Sequence, residues 1–338
     1  MRFTARLLAA TALVSAGLAG AAAAQDFSLK FQSSDPAGNA NFLLQQEWAK
    51  DVAAKTDGRV EVDLLPVETI VAHTESQDAV AAGIIDGHVT DTSYFAGKEP
   101  AFGLIANPVG AWSDPQQMFD FMENGGGNEL MNEMLEPYGL HFIGATTPGL
   151  ESFLSKVPLE GVEDLEGLKM RAPEGMVQNV FAAAGATPVN LPGSEVFTSL
   201  DKGVIDAADY SVFSTNHQQG MHDVATHPVY PGFHSMPATD IVVNMDRWNA
   251  LPDDLKAILT VATRDFGRDM YQRLMIEDKK IADSADEIGL TLVDWPDEER
   301  RAFRKQAESV WRELAAESEI ATRIVDSQAT FLKQIGLL

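Results

Sequence analysis

Residues 27–64 read FSLKFQSSDPAGNANFLLQQEWAKDVAAKTDGRVEVDL, and this stretch decides the fold. Apolar and polar residues alternate over residues 27–31, which predicts a strand, and a turn of Ser, Asp, Pro and Gly follows it. Apolar residues then recur at helical spacing over residues 42–55. Alternation returns over residues 60–64, which predicts a second strand. A strand, a helix and a strand in succession favour an α/β layered fold with parallel pairing.

The same alternation continues along the chain. Further strands are predicted at residues 84–92, 140–145, 168–171 and 239–244, and further helices at residues 74–83, 114–125, 177–184 and 195–202. Residues 252–288 keep the helical period with few breakers, which predicts one long helix that supports more than one part of the fold. A chain of 338 residues exceeds what one hydrophobic core usually organises, so we expect two lobes.

The N-terminus has the pattern of a secretory signal. Arg2 and Arg6 give a charged start, residues 7–19 are apolar, and small residues precede a cleavage site near Ala24. No later stretch has the length of a transmembrane helix, so we expect an exported protein that does not insert into the membrane. The sequence contains no cysteine, which excludes disulfides, thiol catalysis and thiolate metal sites.

Charge excludes several partners. The chain has 25 basic and 50 acidic side chains and a formal net charge of −25. Such a surface repels nucleic acid and anionic lipid headgroups. An anionic ligand would therefore need a sheltered, locally positive site.

Known catalytic and cofactor motifs do not occur. His217, His222 and His227 recur every five residues, which on a helix turns each by about 140° from the last, so they cannot share one helical face. The chain lacks the zinc-protease, serine-hydrolase, dinucleotide and phosphate-loop patterns. Abundant carboxylates leave open an exported hydrolase that uses Asp, Glu and His.

One arginine stands out for its position. Residues 167–173 read GLKMRAP, which places Arg171 at the end of a strand-like run that a proline stops. A guanidinium at a strand end that faces a cleft would present a planar fork of donors to a carboxylate. The alternative is an ordinary surface salt bridge.

The chain resembles the solute-binding proteins of tripartite ATP-independent periplasmic (TRAP) transporters, the DctP-like family, through essentially the whole mature chain. Five stretches carry the resemblance: residues 56–60 (TDGRV), 94–102 (YFAGKEPAF), 125–130 (GGGNEL), 167–171 (GLKMR) and 200–207 (LDKGVIDA). It implies a two-lobed periplasmic α/β binding protein with a central cleft, whose lobes are joined by crossing strands and a long helix.

The family also implies a domain division and a function. Residues 25–147 and 237–275 would form lobe 1, residues 148–236 and 276–338 lobe 2, with hinges near Thr147 and Met236. The protein would capture a small organic anion, close over it and deliver it to the membrane permease subunits, with no enzymatic activity. A receptor that passes its ligand to a signalling partner is the alternative within the same fold.

Residues 94–100 and the turn at residues 230–232 resemble the subgroup that binds 2-oxo and 2-hydroxy monocarboxylic acids, often with a bound cation. Gly149 stands where that subgroup has a glutamine, Tyr210 where it has a tryptophan, and Ser235 where it has a later acid. Asp209 remains as the only candidate metal ligand, so we expect no metal and no cofactor.

The resemblance assigns roles to individual residues. Arg171 matches the arginine that pairs with the ligand carboxylate, and Asn190 lies where the family offers a polar side chain. Glu151 and Asp209 are candidates to receive an ammonium or a hydroxyl group. Candidates for the remaining pocket wall are three aromatic side chains and one imidazole: Tyr94, Tyr210, Phe213 and His234.

Overall fold

The structure is a computed structural model that describes residues 26–338. The predicted signal segment and its cleavage site near Ala24 lie outside the described residues. Within residues 26–338, no helix has the length and apolar character that a membrane span requires.

The described chain forms nine strands and twelve α-helices. The strands are β1 (Phe27–Ser33), β2 (Val60–Leu65), β3 (Gly87–Asp91), β4 (Leu140–Thr146), β5 (Ser152–Ser155), β6 (Lys169–Arg171), β7 (Thr187–Val189), β8 (Ala207–Ser211) and β9 (Thr239–Asn244). The helices are α1 (Ala40–Lys55), α2 (Ser76–Ala81), α3 (Pro100–Ala106), α4 (Pro115–Asn124), α5 (Gly127–Leu135), α6 (Met176–Ala183), α7 (Gly193–Asp201), α8 (Phe213–Gln218), α9 (Met245–Ala250), α10 (Asp253–Ala282), α11 (Asp297–Ala315) and α12 (Glu319–Gln334).

Two separate sheets give the molecule two lobes, which confirms the predicted architecture. The first sheet has the order β2-β1-β3-β9-β4, and the second has the order β5-β8-β6-β7. The parallel pairing predicted for the first two strands is present, with Phe27 opposite Val60. Strand β9 enters the first sheet from the second lobe and pairs antiparallel with both β3 and β4. We call the layers around these sheets the first and second lobes.

The long helix predicted after residue 252 is α10, and its 30 residues span about 45 Å at 1.5 Å per residue. On the first lobe, the indole Nε1 of Trp48 donates to Thr263 Oγ1 at 3.2 Å. On the second lobe, the backbone N of Ser214 donates to the Asp278 carboxylate at 2.6 Å. The helix therefore supports both lobes, as the sequence predicted.

Two segments cross between the lobes side by side. The first leads from β4 to β5, the second from residue 232 to β9, and the backbone N of Glu151 donates to Ser235 O at 2.8 Å. A Cβ at Gly232 would lie 1.8 Å from the carbonyl oxygen of Glu151, so only glycine permits this approach. The side chain of Asn107, at the end of α3, donates to Ser235 Oγ at 2.8 Å. These contacts fix the backbone of Glu151 and Ser235 between the lobes.

The C-terminal helices differ from the predicted division of the chain. Helix α12 packs against α3 and α5 of the first lobe, where Gln328 Nε2 donates to Leu104 O and Ser327 Oγ donates to Gly125 O, both at 2.9 Å. Residues 276–338 were predicted to belong to the second lobe. We propose instead that Glu319–Gln334 belongs to the first.

Helix α11 lies between the lobes, with contacts to α3 and α6. Its Trp311 is fully buried, and the indole Nε1 donates to Val109 O at 3.1 Å. Trp311 is therefore part of the core.

Candidate functional site

A cavity of about 750 Å³ lies between the two lobes. The end of β3 and helix α3 form the wall on the first lobe. The ends of β6 and β8 and the start of α6 form the wall on the second lobe. Its charged lining consists of Arg171 and four acids: Asp91, Glu151, Glu174 and Asp209.

Arg171 is the last residue of β6, where Ala172 and Pro173 end the strand. Its Nε donates to Leu191 O at 3.1 Å, and its Nη1 donates to Asp209 O at 2.7 Å and to Asp209 Oδ1 at 3.2 Å. Nη2 has no hydrogen-bond partner among the described residues. The guanidinium is thus fixed by one edge and keeps two N–H groups for a ligand.

Asp209 connects Arg171 to a buried imidazole. Strand β8 runs parallel beside β6, with Ala208 opposite Arg171, and this places Asp209 next to the arginine. His234 Nε2 lies 3.1 Å from the second oxygen, Asp209 Oδ2. Because a carboxylate only accepts, this ring nitrogen carries the proton. Burial opposes the charge on Asp209, but the bond and charge of His234, with help from Arg171, lower its pKa below the usual range.

The pKa of Glu151 shifts in the opposite direction from that of Asp209. It lies on the first crossing segment, is 8% exposed, and is close enough to Asp209 and His234 that one atom from each lies within 4.8 Å of the others. Burial first, and then the nearby Asp209 carboxylate, raise the pKa of Glu151 well above its usual range. The surroundings of the two carboxyls therefore act in opposite directions: they favour the ionised form of Asp209 and the protonated form of Glu151.

Asp91 is the acid that the first lobe contributes. It is the last residue of β3 and accepts a hydrogen bond from the backbone N of Ser93 at 2.8 Å. Burial, above all other influences, raises the pKa of Asp91 to about 6. Sequence reasoning missed this residue, although it lies near the end of the strand predicted at residues 84–92, at the edge where α/β proteins bind ligands.

The structure brings together most of the predicted site residues. Arg171, Glu151, Asp209, Tyr210 and Tyr94 all line the cavity. The hydroxyl of Tyr210 donates to Gln219 Oε1 at 2.5 Å, so it is directed along the second lobe.

Three predicted residues lie elsewhere. His234 does not line the cavity but supports Asp209 from behind, within an aromatic cluster that includes Phe153 and Phe181. Phe213 was predicted for the pocket wall, but it is fully buried in an apolar cluster with Leu290, because α8 begins at this residue and turns it inward. Asn190 is exposed outside the cavity, because β7 ends before it.

The residues do not fit a hard metal ion. Asp209 was the only metal ligand considered, and the structure adds Glu151 and His234 beside it. Both oxygens of Asp209 already accept from Arg171 or His234, and the guanidinium at 3.2 Å would repel a cation. Ca²⁺ requires six to eight oxygen ligands, whereas this cluster offers two carboxyl groups. We therefore assign no role to a metal here.

Comparisons of this chain with protein-family models and with solved structures point to the same family. The family model for bacterial extracellular solute-binding proteins, family 7 (DctP), matches residues 31–318. The crystal structure of a TRAP periplasmic solute-binding protein from Rhodobacter sphaeroides, in an apo open state, is 57% identical and has a TM-score of 0.85. It covers 92% of this chain and 99% of its own.

Two more distant relatives have names that include a ligand. A protein from Nostoc sp., a monocarboxylate 2-oxoacid-binding periplasmic protein, is 27% identical over 90% of this chain and 84% of its own length. A TRAP solute-binding protein from Colwellia psychrerythraea, solved with calcium and pyruvate, is 25% identical with a TM-score of 0.79. It covers 92% of this chain and 95% of its own.

Proposed function

Since the chain belongs to the DctP family of bacterial extracellular solute-binding proteins, we propose that it captures a small organic carboxylate between its lobes and delivers it to a TRAP permease. The family consists of periplasmic transport proteins without enzymatic activity, so the hydrolase alternative is excluded. The carboxylate class, with 2-oxo and 2-hydroxy acids foremost, is suggested by the names of the Nostoc and Colwellia relatives.

Arg171 is the observation that carries the proposal. Its guanidinium is positioned by Leu191 and Asp209, lines the cavity, and keeps Nη2 available. A carboxylate that accepts from Nη2 would form a charge-assisted hydrogen bond. Closure of the lobes would remove water and strengthen this ion pair, since charges interact more strongly at a lower dielectric constant.

Closure would occur at the crossing segments. We infer hinges near Thr147 and Met236, as the sequence suggested, because the polypeptide passes between the sheets there. The hydrogen bond from Asn107 to Ser235 Oγ lies beside these segments, and its length would change when the lobes move. A permease that contacts both lobes could then distinguish the loaded protein by its shape.

The decisive test is isothermal titration calorimetry with a panel of 2-oxo, 2-hydroxy and other small carboxylic acids. Arg171→Ala should weaken the binding of every acid that binds the wild type by at least about 30-fold, because truncating one partner of a buried charge pair costs about 2–5 kcal/mol. The exposed Arg301→Ala provides a matched control for the loss of one positive charge. An unchanged dissociation constant in Arg171→Ala would show that the carboxylate binds elsewhere.

Export is a second part of the proposal. We infer that residues 1–24 direct the chain to the periplasm and are removed, so the mature protein begins at Gln25. N-terminal sequencing of the secreted protein tests this. A mature chain that still begins at Met1 would contradict it.

A further inference from the structure

We propose that helix α11 is a third connection between the lobes, and that Arg300 is a positioning residue that sets the angle between them and thereby the affinity for the ligand. The first two connections are the crossing segments, which lead from β4 to β5 and from residue 232 to β9. We call Glu299, Arg300 and Arg304 of this helix the α11 clamp. Its effect on affinity rests on the proposed function, whereas its effect on the lobe angle depends on no ligand.

The first turn of α11 is bound to the second lobe. Glu299 Oε2 accepts a hydrogen bond from the backbone N of Val162 at 2.8 Å. A Cβ at Gly161 would lie 2.5 Å from the same oxygen, so the carboxylate lies directly against the backbone there. Trp295, two residues before the helix begins, donates from its indole Nε1 to Leu159 O at 2.7 Å. The start of the helix is therefore attached to the segment that follows β5.

Arg300 extends this attachment to the second crossing segment. Its Nη1 donates to Gly232 O at 2.5 Å, its Nη2 to Pro231 O at 2.9 Å, and its Nε to Trp295 O at 2.9 Å. It also pairs with the Asp294 carboxylate, but that side chain is 71% exposed, and exposed ion pairs contribute little. A planar fork of donors directed mainly at backbone carbonyls fixes the course of the backbone.

One turn later the same helix is bound to the first lobe. Arg304 is 2% exposed, and its Nε donates to Gly110 O at 2.8 Å and to Ala111 O at 3.0 Å. Its Nη2 donates to Ser113 Oγ at 2.8 Å. Arg300 and Arg304 are four residues apart, so they lie on one face of the helix, separated by about 6 Å along its axis. Within this one turn the guanidinium bonds pass from one lobe to the other.

A turn of helix that is bonded to both lobes restrains their relative rotation. Arg300 applies this restraint at Gly232, which lies against the carbonyl of Glu151 in the wall of the cavity. Without the bonds of Arg300, the lobes would sample more angles, and the arrangement that binds the ligand would be a smaller fraction of the ensemble. The apparent affinity falls in proportion to that fraction, by the same factor for every ligand.

Distances between the lobes test the clamp directly. The sequence contains no cysteine, so exposed Glu61→Cys in β2 and Lys202→Cys just after α7 place one spin label on each lobe. In this background, Arg300→Met should widen the distribution of label distances that double electron–electron resonance measures without added ligand. The exposed Arg301→Met is the matched control on the same helix. A distribution in Arg300→Met equal to that of the control overturns the inference.

Calorimetry with the carboxylic-acid panel tests the effect on affinity. Arg300→Met should weaken every acid that binds the wild type by the same factor, about three- to tenfold. Arg300→Lys keeps the charge but not the planar fork of donors, so it should show most of the same loss. A loss that differs from acid to acid would show that Arg300 acts on the ligand and not on the lobe angle, and would also overturn the inference.

Glu299 provides an independent variant should Arg300→Met fail to fold. Glu299→Ala removes the acceptor for Val162 N and should widen the distance distribution, whereas Glu299→Gln keeps an acceptor oxygen and should match the wild type. If the two variants behave alike, the clamp does not act through this bond and the inference is wrong. If no acid binds even the wild-type protein, the proposed function fails, while the distance measurements still decide on the clamp.

Discussion

The second lobe contains two buried groups of titratable side chains that differ in their hydrogen bonding. The cleft network consists of Arg171, Asp209, His234 and Glu151: Asp209 bonds to both Arg171 and His234 beside a cavity, and Glu151 lies next to them. The histidine pocket consists of His217 and His222, whose ring centroids lie 5.6 Å apart. His222 is 3% exposed, and neither of its ring nitrogens has a hydrogen-bond partner in the described chain.

The difference shows what marks a binding site in this protein. In the cleft network Asp209 holds hydrogen bonds to Arg171 and His234, and Arg171 lines the cavity with its Nη2 still available. In the histidine pocket, the imidazole of His222 packs on Phe213 with ring centroids 4.6 Å apart. We therefore expect substitutions in the cleft network to change ligand affinity and substitutions around the histidine pocket to change stability.

The largest expected effect is a loss of stability at Phe213, which is compared with Tyr94 because both residues were predicted for the pocket. Phe213→Ala should lower the unfolding free energy by about 3–5 kcal/mol, because a fully buried phenyl ring leaves a cavity. Tyr94→Ala should cost less than about 1 kcal/mol, because Tyr94 is 46% exposed. Denaturant unfolding of both variants measures this, and equal losses would contradict the placement of the two residues.

The next prediction concerns pH and the histidine pocket. Burial, and then the charge of His217, lower the pKa of His222 to about 4 from an ordinary value of about 6.5. Between these values the unfolded chain binds a proton that the folded protein refuses, so stability falls as the pH falls through this window. Across the whole window this lowers the free energy of unfolding by about 3 kcal/mol.

Thermal or urea unfolding from pH 7 to pH 4 checks this dependence. The His222→Phe variant should lose this part of the pH slope while it keeps the aromatic packing on Phe213. A slope identical to that of the wild type would show that His222 is protonated equally in the folded and unfolded states.

A smaller effect is expected behind the cleft network. His234→Phe keeps an aromatic ring but removes the donor to Asp209 Oδ2, which frees that oxygen to compete for Arg171. Carboxylate affinity should fall by about tenfold, in line with the roughly 1.5–3 kcal/mol of a hydrogen bond to a charged group. His234→Gln retains an N–H donor and should recover most of the affinity. If Phe and Gln behave alike in calorimetry, His234 acts through packing alone.

The smallest effect is predicted for Tyr210. Its hydroxyl bonds to Gln219 near the surface, where water replaces a lost partner. Tyr210→Phe should change the unfolding free energy by less than about 0.5 kcal/mol and ligand affinity by less than about threefold. A larger loss of affinity would mean that the hydroxyl turns from Gln219 to the ligand on closure.

The order of the main elements could be predicted from the sequence because apolar periodicity reports it directly. The alternation in residues 27–31 and 60–64 predicted the parallel pairing of β1 and β2. The helical period after residue 252 predicted α10, which supports both lobes. The place of α12 could not be predicted in this way. Its apolar stripe shows that it packs on something, but only its contacts with Leu104 and Gly125 reveal the first lobe as the partner.

The residues of the site were also predictable only where a local sequence pattern reports them. The strand-end position of Arg171 and its family resemblance were readable, but the hydrogen bond of His234 to Asp209 joins residues 25 positions apart and has no sequence signature. A five-residue spacing separates His217 from His222 only on a continuous helix. Helix α8 ends at Gln218 and the chain turns at Gly220 with a φ of 74°, so the two rings meet after all.

The central claim is that Arg171 holds the carboxylate of the ligand in the cleft. A crystal structure of the protein with the tightest-binding acid of the panel tests this most directly. We predict a closed cleft with a carboxylate oxygen within about 3.2 Å of Arg171 Nη2, a normal hydrogen-bond distance. A carboxylate bound away from Arg171, with the guanidinium still paired only to Asp209 and Leu191, would contradict the account.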